Sequence, residues 1–321
     1  MTKRNSTVAA LAAILWVPLA GQTVPRTPDG HPDLQGIWTN ATITPLERPP
    51  ELAQKPTLTD AEAAEFEKRS AAELASVDGK SVHPLLAAAG SNGTGGYNVL
   101  FIDRGTELAR VDGVKRTSLI IDPPDGKVPP LTPEGRKHFT FEGYGGFDSV
   151  KDRPLSERCL LGFGSTSGPP MLPVLYNNNY QIVQTPDHVM ILVEMVHDAR
   201  IIRINGRHAP PALRFWLGDS IGHWEGDTLV VDTTNFTDQT RFRGSSADLH
   251  VMERFTRVGP DSIVYRATID DPSTFTRTWT LEYPFMATKG PIYEYACHEG
   301  NYSLADILAG ARKKDAEAAR Q

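Results

Sequence analysis

Ser220-Ile221-Gly222-His223-Trp224-Glu225-Gly226-Asp227-Thr228-Leu229-Val230-Val231-Asp232-Thr233 places two short strand-like runs around a Glu-Gly-Asp turn. Similar units lie on both sides of it. Downstream, His250–Arg257 and Ser262–Ile269 flank Gly259-Pro260-Asp261, and Phe275–Tyr283 and Ile292–Cys297 follow. Upstream, Gln181–Gln184 and His188–Val196 flank Pro186-Asp187, and Arg200–Ile204 ends at the turn dipeptide Asn205-Gly206. Strands recurring at short intervals with turn chemistry between them predict a mainly β fold. The expectation is an antiparallel barrel, with a β-sandwich as the alternative.

Outside this run the signals change. Residues 22–57 are proline-rich and read as an extended wrap. Thr59 and Glu62 have capping-box spacing ahead of a helix over Ala61–Leu74. Residues 76–96 read as a loop, Tyr97–Ile102 and Thr117–Ile121 as strands, and Thr132-Pro133-Glu134 as the start of a short helix. Residues 143–175 read as a long ordered loop. A closing helix over Ala305–Arg320 is expected to be capped at Ser303. The predicted organisation is a signal peptide over 1–21, an N-terminal elaboration packed on the barrel over 22–175, an antiparallel β-domain over 176–301 and a C-terminal helix over 302–321.

Lys3 and Arg4 precede an apolar run from Val8 to Leu19 with no acidic residue, as a secretory leader requires. The run falls short of the roughly 20 apolar residues of a membrane span, and a retained anchor is the alternative. Periplasmic or secreted localisation follows, with no membrane span after leader removal. The chain carries 33 Lys+Arg against 39 Asp+Glu, a formal charge of −6, and shows no basic stripe for a phosphate backbone. The expected partner is therefore a small-molecule ligand or substrate, not nucleic acid. Cys159 and Cys297 are the two cysteines. In an oxidising compartment they predict one disulfide, with two buried free thiols as the alternative.

Strand alternation proposes site residues. Val251, Glu253 and Phe255 share one face, and Phe275, Arg277, Trp279 and Leu281 share another, which makes Glu253 and Arg277 candidates for a buried ion pair. Glu194 follows Met190 and Leu192 on an apolar strand, where burial would tune a carboxyl for acid/base work; a core carboxylate satisfied by Arg200 or Arg203 is the alternative. His197, His223, His250 and His298 lie in the strand-rich half, with His298 at a strand end where a barrel mouth exposes polar groups. The catalytic candidates are Glu194, His223, Glu253, Arg277 and His298, with Arg277 as an anion or oxyanion stabiliser. Trp224, Tyr265, Trp279 and Tyr293 are the ligand-lining candidates. Neither a two-histidine zinc helix nor a phosphate-cradling loop appears, and Gly164-Ser165-Thr166-Ser167-Gly168 lies in loop rather than on a strand-to-helix elbow. No metal and no cofactor are expected.

Gly36-Ile37-Trp38 resembles the glycine-x-tryptophan signature of lipocalins and other calycin barrels. That resemblance implies a tryptophan closing one end of a barrel whose interior holds a small apolar ligand. Arg26-Thr27-Pro28-Asp29-Gly30, the segment from Gly222 to Val231, Leu249–Phe255 and Thr268–Pro272 resemble an uncharacterised family of exported bacterial proteins with a WEGDTLVV segment. The expected function is an exported small-molecule-binding barrel with an apolar or aromatic ligand. A cofactor-independent lyase, isomerase or hydrolase using an interior carboxylate/histidine pair is the alternative, and a structural envelope component a third reading.

Overall fold

The structure, a computed structural model, describes residues 24–76, 102–139, 146–162, 168–240 and 242–320. The expected leader, almost all of the 76–96 loop and the strand expected at Tyr97–Ile102, apart from its last residue, lie outside them. Near the N-terminus are β1 (Gly36–Thr39), β2 (Thr57–Leu58), β3 (Arg110–Val111), β4 (Val114–Arg116) and β5 (Ile120–Asp122). The main run comprises β6 (Asn179–Gln184), β7 (His188–Val193), β8 (Ala199–Ile204), β9 (Asp219–Glu225), β10 (Thr228–Thr234), β11 (His250–Arg257), β12 (Ser262–Asp270) and β13 (Trp279–Ala287).

One ten-stranded sheet runs β1-β6-β7-β8-β9-β10-β11-β12-β13-β5, and β13 also pairs with β1. That second pairing closes β1 and β6 to β13 into a nine-stranded barrel and leaves β5 as an outer flap. Closure removes the free edges of an open sheet. The barrel is mixed, because β8 and β9 pair in parallel, Ile202 opposite Ser220, while the other pairs of the ring are antiparallel.

Alternation writes the core. Ile263, Tyr265, Ala267 and Ile269 of β12 point inward with Leu281, Tyr283 and Phe285 of β13 and Val251 and Phe255 of β11. The strand that seals the ring comes from the proline-rich wrap. Gly36 sits at φ +136°, Trp38 is 1% exposed, and the Trp38 indole N–H donates to the Leu34 carbonyl at 3.0 Å. The Arg257 guanidinium lies 5.2 Å over its ring, which places the tryptophan at the barrel end where β11 finishes.

Several local expectations are revised. The expected strand Phe275–Tyr283 starts later, at Trp279, because Phe275 bonds back to the Asp271 carbonyl in a turn. Ile292–Cys297 forms no strand; it lies across the β7–β8 turn, tied down by the Cys159–Cys297 disulfide. Asn205-Gly206 closes no hairpin. It begins the Asn205–Gly218 crossover that a parallel pair requires. Glu225-Gly226-Asp227 does turn a hairpin, with Gly226 at φ +59°.

The capping box is formed: Glu62 accepts from the Thr59 N–H at 3.0 Å at the start of α1 (Asp60–Ser76). Thr132 caps α2 (Pro133–His138). Helix α3 (Tyr302–Ala318) begins one residue before Ser303, after Asn301, whose side chain bonds the Glu157 carbonyl at 2.7 Å instead of capping. The elaboration is pinned to the barrel by β5 against β13, and by Glu282, buried between Arg116 (3.1 Å) and Arg266 (2.8 Å). Among the described residues no helix is long and apolar enough to cross a membrane.

The crossover is clasped to the outer face by alternating charges. Asp219 accepts from Arg203, His208 and the Ala209 N–H, and Asp232 meets His208 at 3.4 Å and His250 at 2.9 Å. Hydrogen bonding to Asp232 raises the His250 pKa, and that bond in turn holds the Asp232 carboxyl below its usual value. A raised histidine stabilises fully below its unfolded value near 6.5 and loses that contribution as pH rises through the folded value. The Asp232 share is present above about 4 and lost as pH falls through its lowered value. His250→Gln should therefore lower the urea midpoint at pH 5.5 and make less difference at pH 8.5. An equal deficit at both pH values would contradict the clasp.

Candidate functional site at the loop end of the barrel

The barrel end away from Arg257 gathers the starts of β6, β8, β9, β11 and β13, and polar side chains converge inside the barrel toward it. Arg200, at the start of β8, donates to Glu253 of β11 at 3.1 and 2.6 Å in a two-pronged pair, with both side chains at most 1% exposed. A charge taken this far from water must be paired, and the planar guanidinium suits two carboxylate oxygens. Arg200 also reaches Ser220 at 3.4 Å, and Ser220 bonds Thr233 at 2.9 Å. The Tyr265 hydroxyl donates to Glu253 at 2.8 Å. Burial raises the Tyr265, Tyr283 and Tyr180 phenols above their usual value, so all three keep their protons.

These groups close on a piece of the chain's own backbone. The buried segment Gly168–Leu172 brings Met171, fully buried, to the tyrosines. The Met171 N–H donates to the Tyr265 oxygen at 3.1 Å. Its carbonyl accepts from the Tyr283 hydroxyl and from the Asn40 amide at 3.1 Å. Asn40 also reaches the Tyr180 hydroxyl at 3.3 Å. Around this point Tyr265 packs 5.1 to 5.3 Å from the rings of Phe255, Tyr283 and Phe285.

At the rim, the β7–β8 turn holds unfavourable features. Val196 and His197 adopt φ +63° and +50°, and a β-branched residue in that region is strained. The buried Glu194 carboxylate accepts from the Asn179 amide at 2.9 Å and the Tyr293 N–H at 3.0 Å. His197 Nδ1 lies 3.0 Å from the Tyr295 carbonyl, which can only accept, so Nδ1 carries a proton. Burial raises the neighbouring Asp198 carboxyl to about 6, and its Oδ2 is buried without a partner among the described residues. Rim and interior adjoin, since Asn179, which bonds Glu194, directly precedes Tyr180 on β6.

The sequence candidates divide between this end and elsewhere. Glu194, Glu253 and Tyr265 lie in the cluster, and Trp279 is buried beside it, stacked on Phe242. Glu194 is buried for a different reason than alternation supplied. The inward face of β7 is Val189, Ile191 and Val193, and Glu194 turns in where the chain leaves the strand with helical φ and ψ. Neither Arg200 nor Arg203 pairs with it. Arg277 does not meet Glu253; it bonds Asp122 at 3.0 Å, about half exposed, because the chain around it is turn rather than inward-facing strand.

His223 lies outside on Glu225, and Trp224, partly buried against the barrel core near the end of β9, stacks on His31 at 4.5 Å between ring centres. Tyr293 (67% exposed) and His298 are exposed on the covering segment, Tyr293 contributing only its backbone N–H to Glu194. The residues missed were Asn40, Met171, Tyr180, Tyr283, Asp198 and the central role of Arg200. Arg200 was readable, since it shares a strand face with Ile202. Met171 and Asn40 carried no signal, because loop contacts follow no period. Among the described residues no group of three or more His, Cys, Asp or Glu side chains is placed to hold a metal ion. No family model, curated protein or solved structure matches this chain.

Proposed function

We propose that the chain is an exported β-barrel protein that binds a small molecule at the loop end of its barrel. The observation that carries this reading is the convergence of Tyr265, Tyr283 and Asn40 on the backbone N–H and C=O of one residue, in an aromatic surround and wired to a buried ion pair. Ligand sites are commonly apolar with a few convergent polar groups, which describes this end. The ligand is then aromatic or apolar with one polar function. Export is supported by the disulfide, which persists in oxidising compartments. The test is denaturant unfolding against a panel of small apolar compounds with and without a polar function. A saturable rise in midpoint that Tyr265→Phe/Tyr283→Phe removes supports the site. Rises unaffected by that double substitution would place binding elsewhere.

A second reading, an acid/base enzyme at the rim, is favoured by one observation. The Glu194–Asp198 turn keeps strained backbone and a buried, unpartnered carboxyl oxygen side by side. Strain and perturbed acidity cluster at functional sites. Here Asp198 would exchange a proton near neutral pH. Asp198 is elevated to about 6 from an ordinary value near 4, so its folded-state penalty is absent below pH 4 and complete above pH 6. Asp198→Asn should stabilise the protein at pH 7.5 by on the order of 1 kcal/mol, after discounting for its partial exposure, and change little at pH 4. Urea titrations at the two pH values measure this. Destabilisation at pH 7.5 would show Asp198 to be a structural support rather than a retained liability.

A further inference from the structure

The barrel seat resembles a recognition site for an amide more than a generic apolar lining. The Tyr265 proton is committed to Glu253, so toward Met171 the Tyr265 oxygen can only accept. Tyr283 and the Asn40 amide, by contrast, donate to the carbonyl. The seat therefore has a fixed polarity, acceptor against N–H and donors against C=O, and the buried Arg200–Glu253 pair holds that polarity in place. Buried loop backbone is ordinarily satisfied by other backbone or water. At Met171 both poles of one residue are met by side chains from three separate elements.

A second observation points to a ligand. Asn40 is 1% exposed, and its Oδ1 is buried with no hydrogen-bond partner among the described residues, although its Nδ2 faces Met171. Arg200 Nε is likewise buried and unpartnered. An orphaned acceptor costs free energy that the Met171 segment does not recover, and a ligand with one further N–H would recover it.

The geometry points to a ligand that presents the N–H of one amide and the C=O of the next, as one apolar residue of a short peptide does, with Met171 as the chain's own stand-in. This rests on the binding reading above and narrows it. An internal stand-in competes at an effective concentration of order millimolar, so affinity for an added amide is masked until the stand-in is removed.

The test uses the full chain with Pro169, Pro170, Met171 and Leu172 all replaced by glycine, which keeps the backbone groups but removes the buried side chains and rigid prolines that hold them in the seat. The probes are acetyl-Pro-Pro-Met-Leu-amide and its ester analogue, with oxygen in place of the Met N–H. Titration calorimetry should show the amide binding at least tenfold more tightly than the ester, because Tyr265 loses its donor partner in the ester. Adding Tyr265→Phe should abolish that preference. Equal affinities, or no binding by a variant whose near-ultraviolet circular dichroism shows a packed barrel, would overturn the inference.

If the glycine variant does not fold, the unaltered protein carries the test. Millimolar amide peptide should speed hydrogen exchange at Met171 by at least twofold, and the ester should do so less. Unchanged exchange at Met171 overturns the amide assignment. Should other panel compounds still raise the denaturant midpoint through Tyr265 and Tyr283, the binding reading survives that failure. If no compound raises it, both fail.

Discussion

Arg200→Met is expected to lower the unfolding free energy by about 3–5 kcal/mol, measured from urea midpoints at constant slope. The side chain it removes is 1% exposed and supplies both close contacts to Glu253, at 3.1 and 2.6 Å. Left with the Tyr265 hydroxyl alone, a carboxylate buried in the barrel has no compensating charge. The loss should fall well below that of the single variant in Arg200→Met/Glu253→Gln, because the amide needs no counter-charge and its oxygen can still accept from Tyr265. Buried pairs often contribute little net stability over apolar replacements, so the single variant is the informative one. A loss below 1 kcal/mol, or a double variant as unstable as the sum of the two singles, would show that the pair is not coupled.

Cys159→Ser/Cys297→Ser should cost about 5 kcal/mol if the disulfide acts by restricting the unfolded chain, given the 138-residue separation it spans. The bond also has a local role. It anchors the segment whose Tyr293 N–H satisfies Glu194 and whose Tyr295 carbonyl orients His197. Besides the global loss, hydrogen exchange over 291–297 and at the β7–β8 turn should accelerate. A global loss with protection unchanged in that segment would separate the bridge from the rim. A cost under 1 kcal/mol would mean that the reduced, unfolded chain keeps the segment close by other contacts.

What the sequence showed, and what it hid, follows from the range of each signal. Alternation along β9 to β12 was legible because a buried face imposes a two-residue period, and Glu253 and Tyr265 stood out on such faces. The barrel itself followed from the density of strands and turns. Its closure was carried by Gly36-Ile37-Trp38, far from the strands it pairs with, and the parallel β8–β9 pair was concealed by a good turn dipeptide at Asn205-Gly206.

Arg277 illustrates the opposite failure. Its neighbours Phe275 and Trp279 are both buried, yet the chain between them bends before β13 begins at Trp279, so the period predicted the wrong direction for the side chain between them. The pairing of Tyr283 and Asn40 with the Met171 carbonyl depends on a loop entering the barrel, and no local pattern encodes where a loop goes.

The most direct test of the central claim is a native mass spectrum of the protein isolated from the cells that make it, under conditions that retain small molecules, beside the Tyr265→Phe/Tyr283→Phe variant. The account predicts one organic molecule per chain on the unaltered protein and its loss from the variant, both chains being two hydrogens lighter than their sequences require. A bare unaltered chain that also takes up no apolar or amide compound on addition, or a bound molecule retained equally by the variant, would contradict it.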